Sequence, residues 1–380
     1  MDARTSGLLS PQDIPNHYRL QELIEWEWQK VLLRLKKTEP LDNEDLANIG
    51  LVFLEKGKFK ADQAYKGAEF YFNEALAAEE KADISDREIM AACHYGLATM
   101  KRENNACDEA LAEFKQALEL TESDWLKSNI LRNEGLAYLK QEKFALAAEQ
   151  FSDAIDVVVV NEDEDLNGSL PALYNYWGLC LARQGLAEGN KKLLEQGEKK
   201  LAVAAQLYQN AGRQGVNLNN SHDYQSHCFH RGMILVESVE RRFNPVFKLE
   251  EARQLLESAL FYRKQNKADG QRIGDVFMLL GRACKASEKL EKAIQHFDDA
   301  LKEYGTVFGP DAKQMKNALK ALQDARAELA VGRGSDIRKT PPISPRLFSS
   351  PPVSSVMLEN LVPATLSTTS PTPRSPKSPR

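Results

Sequence analysis

An all-α solenoid of stacked helix pairs is the fold class this sequence predicts, and three observations predict it. Ala, Leu, Glu, Lys and Gln dominate the body of the chain, and all are good helix formers. Only Pro171 and Pro245 fall between Pro40 and Pro310, so long helices run with few breaks. A glycine, an alanine, a ring or leucine, and a second alanine recur in that order six times.

Two of these units share one spacing. Residues 128–157 carry Leu131, Gly135, Tyr138, Ala147, Phe151 and Ala154, and residues 274–303 carry Phe277, Gly281, Cys284, Ala293, Phe297 and Ala300. The glycine stands 12 residues before the first alanine in both. Four looser copies have longer turns: Gly50, Ala68, Phe72, Ala75; Gly96, Ala110, Phe114, Ala117; Gly178, Ala204, Tyr208, Ala211; and Gly232, Ala252, Leu256, Ala259. Each copy reads as two antiparallel helices. The glycine admits the second helix closely, the alanines leave room for neighbours, and the ring fills the gap between them. One such pair cannot bury its apolar face alone, so successive pairs stack into a superhelix.

Around the repeats the chain divides as follows. Residues 1–16 read as a flexible N-terminus with neither the basic flank nor the apolar run of a secretory signal. Residues 17–42 read as a capping helix, with Leu20, Leu23, Ile24, Trp26, Val31 and Leu35 near helical spacing; Lys36 and Lys37 at its end also suit a membrane-surface helix. Residues 43–310 hold the six repeats. Val157–Val160 reads as a buried helix terminus, followed by a polar acidic loop from Asn161 to Gly168. Residues 311–333 read as a C-terminal capping helix, and residues 334–380 as a disordered tail. That tail holds ten of the sixteen prolines and six Lys/Arg against two Asp/Glu, so it is basic while the body is acidic. It has too few large apolar side chains to offset the entropy of ordering.

The Gly–Ala–ring–Ala register resembles that of tetratricopeptide-repeat (TPR) proteins over about residues 43–305. The segment from Tyr304 to Asn317 also resembles, locally, the inter-repeat turn of kinesin-light-chain repeats. The resemblance implies a right-handed superhelix whose first helices line a concave groove. It also implies groove positions counted from each glycine. One residue after, these are Leu51, Leu97, Leu136, Leu179, Met233 and Arg282. Three before, they are Ala47, Cys93, Arg132, Asn175, Phe229 and Met278; two before, they are Asn48, His94, Asn133, Tyr176, His230 and Leu279. The first row suits either a peptide-binding floor or core between helices. Five of the six residues in the last row carry polar side chains, which can form a ladder for an extended peptide's backbone or simply face water. In chaperone-binding members a Lys and an Asn flank one glycine as a carboxylate clamp. No unit here has that pair, so a chaperone-tail clamp is not expected.

Chemistry has little footing in the sequence. There is no GxGxxG, P-loop, GxSxG or HExxH. His222, Asp223, His227 and His230 are the densest cluster, and a zinc site there is weighed against the plainer reading, that they open the first helix of the fifth repeat. No cofactor and no metal are expected. The five cysteines are scattered without CxxC spacing, which fits a reducing compartment and a cytoplasmic protein. No apolar run is long enough to span a membrane. The net charge of −5 argues against general nucleic-acid binding.

The function expected is a non-enzymatic adaptor or scaffold that binds a partner protein or peptide in its groove. The tail adds seven Ser/Thr-Pro sites for proline-directed kinases, Thr340, Ser344, Ser350, Ser370, Thr372, Ser375 and Ser378. It also carries a Pro-rich segment at 339–345 and an apolar island at 353–366. Two alternatives stand beside the adaptor: a sensor autoinhibited by its own tail, and a secreted bacterial effector that binds host proteins.

Overall fold

A computed structural model describes residues 87–160 and 168–337, together with positions 69, 72, 73, 75–77 and 79. The expected N-terminal segment and cap, the first helix of the first repeat with Asn48 and Leu51, most of the acidic loop, and the tail with its seven Ser/Thr-Pro sites lie outside those residues. The chain divides into two units, residues 1–332 and 333–380.

The described residues are helical throughout the first unit, in five pairs. They are α1 (Arg87–Glu103) with α2 (Cys107–Leu120), α3 (Asp124–Lys140) with α4 (Phe144–Val160), α5 (Leu170–Glu188) with α6 (Lys191–Arg213), α7 (His222–Glu240) with α8 (Lys248–Gln265), and α9 (Gly270–Ala286) with α10 (Leu290–Tyr304). A last helix, α11 (Lys313–Ile337), follows. Polar caps start several of them. Ser123 accepts from the Leu126 N–H, Asn190 from Leu193, Ser221 from Tyr224 and Asp269 from Arg272.

The turns inside three pairs are built alike. Asn105, Glu142 and Glu288 hold φ of 64°, 58° and 59°, each at the centre of a three-residue link. The next N–H returns to a carbonyl five residues back: Ala106 to Lys101, Lys143 to Tyr138, Lys289 to Cys284. This is the left-handed helix stop that favours glycine. A non-glycine residue there carries a steric cost of about 1–2 kcal/mol. Glu142→Gly and Glu288→Gly are therefore expected to stabilise the chain by about 0.5–1 kcal/mol each, after the entropy glycine adds to the unfolded chain. Urea midpoints check this; lower midpoints in both variants would refute it.

The core follows the repeat pattern. Phe114, Phe151, Phe297 and Leu256 are fully buried, as are the alanines flanking them. Phe151 lies over Gly135, where an added Cβ would come within 2.8 Å of the ring. Ala318, Leu322 and Ala325 of α11 are buried, the last two in one cluster with Cys284, Ala293 and Phe297, so α11 covers the open face of the last pair. All five cysteines are free and buried, and burial pushes the Cys93 and Cys180 thiols up to about 12.

Three details differ from the sequence reading. First, Gly96 does not face Phe114: the ring over it is Phe72, from the preceding repeat. Ala98 lies instead in the cluster with Ala110, Phe114 and Ala117, and it stands 12 residues before Ala110, the spacing of the two regular units. Second, Gly178 meets Gly197 and Leu201, and not Tyr208. The fourth unit is therefore Gly197, Leu201, Ala204, because the tight turn at Gly189 brings α6 back at once. Tyr208 and Ala211 belong to extra turns at the end of this 23-residue helix. Third, only Val158 of the valine run is fully buried; Val159 and Val160 are exposed.

Candidate functional site: the face of the first helices

Helices α1, α3, α5, α7 and α9 are the first members of their pairs. Along this row α1 packs on α3, α5 on α7 and α7 on α9. Most of the expected groove residues lie on it, and the structure separates them into three kinds.

Several are core. Leu97 is buried against the Phe72 cluster and Leu179 against Leu201. His94 turns to α2, where its Nδ1 lies 2.7 Å from Glu113, and Lys101 donates to the same carboxylate at 2.9 Å. Burial raises the Glu113 carboxyl, but these two bonds outweigh it and hold its pKa below the usual range. His94 and Leu97 thus leave the row for the reason given above: the reference residue of the second repeat is Ala98, which moves the groove positions from Cys93, His94 and Leu97 to Tyr95, Gly96 and Thr99.

A second kind ties one first helix to the next. Asn133 is buried, and its Nδ2 donates to the Tyr95 hydroxyl at 3.1 Å and to the Asn129 carbonyl at 2.8 Å. Asn175 is 1% exposed and sits between two histidines of α7. Its Oδ1 lies 3.2 Å from His227 Nδ1, and its Nδ2 lies 3.0 Å from His230 Nδ1. An amide oxygen only accepts, so His227 carries its proton on Nδ1 and keeps a lone pair on Nε2. An amide N–H only donates, so His230 carries its proton on Nε2. Burial lowers the His227 pKa to about 3, and Arg231 adds to the shift. Arg183 of α5 grips Glu237 of α7 through two 3.0 Å bonds, and Arg282 of α9 donates to Glu240. The polar row read as a peptide ladder is therefore, at Asn133 and His230, part of a set of bonds that pin the repeats to one another, and Asn175 of the neighbouring row completes it. Two of the three histidines of the supposed zinc cluster, His227 and His230, are turned to Asn175 by their Nδ1 atoms, and His222 lies against Asp223. Among the described residues no group of three His, Cys, Asp or Glu is placed to hold a metal.

The third kind is half-buried. Leu136, Tyr176, Phe229, Met233 and Met278 make up its apolar part. Tyr176 stacks on Phe151 at 5.4 Å, and the Arg263 guanidinium lies 4.0 Å over the Phe229 ring. Arg132 is its charged member. Two contributors escaped the sequence reading: Tyr95, displaced by two residues, and Arg263, which comes from a second helix. The constant 12-residue spacing was the signal that locates Tyr95.

No family model matches the chain, and no curated protein matches it. Solved structures do. The likeness is to helical repeat folds. One is YrrB, described as a TPR protein with an unusual peptide-binding site: 21% identity, 66% of this chain and 97% of that one, TM-score 0.36. A tetratricopeptide repeat protein from Parabacteroides merdae shares 16% identity over 74% of this chain and 98% of its own, with TM-score 0.38. Yeast Tom70 shares 16% identity over 87% and 65%, with TM-score 0.44. No residue role is carried across from them. The kinesin-light-chain likeness after Ala300 stays a local feature of the sequence.

Proposed function

We propose that the chain is a non-catalytic interaction module that holds a segment of a partner protein along the concave face of its first helices. The observation that carries this reading is the run of half-buried Leu136, Tyr176, Phe229, Met233 and Met278 across four successive repeats, with Arg132 beside it. Apolar side chains held half-open on a rigid row give a partner both area and register without ordering cost on this side. The buried free thiols fit a reducing, cytoplasmic setting, and no helix among the described residues is long and apolar enough to cross a membrane. Proline-directed phosphorylation of the tail at Thr340, Ser344, Ser350, Ser370, Thr372, Ser375 and Ser378 belongs to the same proposal, as a regulator of partner contacts that cancels local positive charge.

The test is capture of partners from source-cell lysate by the full chain and by the double variant Leu136→Gln/Phe229→Gln. The expected outcome is loss of at least about tenfold in capture, since each truncated anchor is worth on the order of 1 kcal/mol or more. Circular dichroism should stay unchanged. Equal capture by a folded double variant would remove this face from the function.

A further inference from the structure

We infer that this chain pairs with a second copy of itself, each copy setting Phe247 into a cavity between α6, α7 and α8 of the other. The inference stands apart from the peptide-binding reading above. The turn from α7 to α8 supplies the ring. Its earlier residues serve the fold. Phe243 packs against the cluster of Leu186, Leu194 and Leu201, and Arg241 donates to the Leu186 carbonyl. Asn244 donates to Glu198 at 2.6 Å and to Ser238 at 2.9 Å. The chain then closes into α8, with the Lys248 N–H on the Pro245 carbonyl and the Leu249 N–H on that of Val246, each at 3.0 Å. Val246 and Phe247 are left 56% and 73% exposed, and Phe247 is the most exposed aromatic side chain among the described residues. A single exposed apolar side chain is ordinary. An adjacent pair on a turn fixed at both ends is a contact surface that needs no further ordering.

The cavity, of about 330 Å³, lies beside that turn. Its apolar lining is Leu201 and Ala202 from α6 with Ile234 and Leu235 from α7. Ala202 is exposed, and its small side chain leaves room for one aromatic ring. By the helical repeat, Arg231 and Leu235 stand on the side of α7 away from Phe229 and Met233, so this surface is separate from the first-helix face. Two observations name a second copy as the occupant. Phe247 is followed at once by Lys248, which lines the cavity. Ring and cavity therefore lie side by side, and a two-fold axis between them sets each ring over the other copy's cavity. The charged lining is also balanced, with Lys199, Arg231 and Lys248 against Glu195, Glu198 and Glu251. Glu251 holds both Arg231 and Lys248 in place. Such a face meets its own copy without net repulsion, whereas a strongly acidic or basic partner gains nothing from it. The pair would present two first-helix faces, which strengthens capture of a bivalent partner.

The experiment is sedimentation velocity of the full chain over a concentration series, beside Phe247→Asp, Ala202→Phe and their equimolar mixture. The unaltered chain is expected to pass from monomer to dimer as concentration rises. Each variant alone is expected to raise the dimer Kd at least about tenfold, one by removing the ring and the other by filling the cavity. Both positions are exposed, so circular dichroism should stay unchanged. The mixture restores one of the two ring–cavity contacts, so a heterodimer should form at concentrations where neither variant associates by itself. A monomer at every concentration would overturn the inference. So would a dimer indifferent to both substitutions, or a mixture no better than its parts. Loss of a lysate partner from Phe247→Asp, with the unaltered chain monomeric, would overturn it in favour of another protein on this face.

Discussion

Gly197→Val is expected to cost more than about 4 kcal/mol, because the space it needs is filled by backbone. A Cβ at Gly197 would stand 2.5 Å from the Ala182 amide nitrogen and 2.7 Å from the Gly178 carbonyl oxygen. The contact is reciprocal: a Cβ at Gly178 would stand 2.8 Å from the Gly197 carbonyl oxygen. Side chains can swing away from an added methyl, whereas two helix backbones in contact move only by separating α5 from α6. Even Gly197→Ala is expected to lose about 2 kcal/mol, although alanine is about 1 kcal/mol better than glycine inside a helix. Gly189, with no neighbour within 4 Å of an added Cβ but φ of 69°, is the control, and Gly189→Asn should cost little. Urea unfolding measures the loss. Hydrogen exchange should show it concentrated in α5–α8, since a solenoid's stability is a sum over neighbours. A Gly197→Ala variant as stable as the original would show that the helices are not in backbone contact.

The second large effect is in the pH dependence of stability. His227 is 1% exposed and its pKa is lowered to about 3, against about 6.5 in the unfolded chain. Between those values the unfolded chain binds a proton that the folded one refuses, so stability rises with pH. The contribution is complete above about pH 6.5 and is lost as pH falls toward 3, by about 1.4 kcal/mol per unit. Glu134 on α3 acts in the other direction. Burial pushes its carboxyl up to about 7, so the folded chain holds a proton there that the unfolded chain releases, and acidification from pH 7 to about 4.5 favours folding. Burial lowers His230 to about 3 as well, with His227 adding to the shift, so the net slope of the unaltered chain mixes all three. The difference between it and His227→Gln removes Glu134 from the comparison and reads His227 together with its effect on His230. Over pH 6.5 to 5 the unaltered chain should lose about 2 kcal/mol more than the variant, read from urea curves at fixed salt. Parallel curves would mean that His227 titrates normally and is not buried between Tyr208 and Tyr224, whose ring centroids lie 5.5 and 6.5 Å from its own.

The site was legible in part. Residue types along the first helices were readable because the glycine counts them off, and Tyr176, Phe229, Met233, Met278 and Arg132 are half-buried there. What the polar members do was not readable. Asn133 and Asn175 look the same in sequence whether they face a peptide or a neighbouring helix. Their partners Tyr95, His227 and His230 lie 38 to 55 residues away, and only folding brings them within 3.2 Å.

The sequence by itself determined the helix-pair repeat and the two units whose glycine, alanines and ring share one spacing. Close helix packing needs small residues and one filler at fixed intervals, and that need is written locally. Tertiary structure decided register wherever the sequence offered two small residues. Helix α1 has Gly96 and Ala98 on different faces, and Phe72 takes the first while Phe114 clusters with the second. Helix α6 has two overlapping sets that share Ala204, and the turn at Gly189 selects the earlier one. A small residue marks a place where another helix can come close; which helix comes there depends on where the chain turns and what the neighbouring repeat already fills.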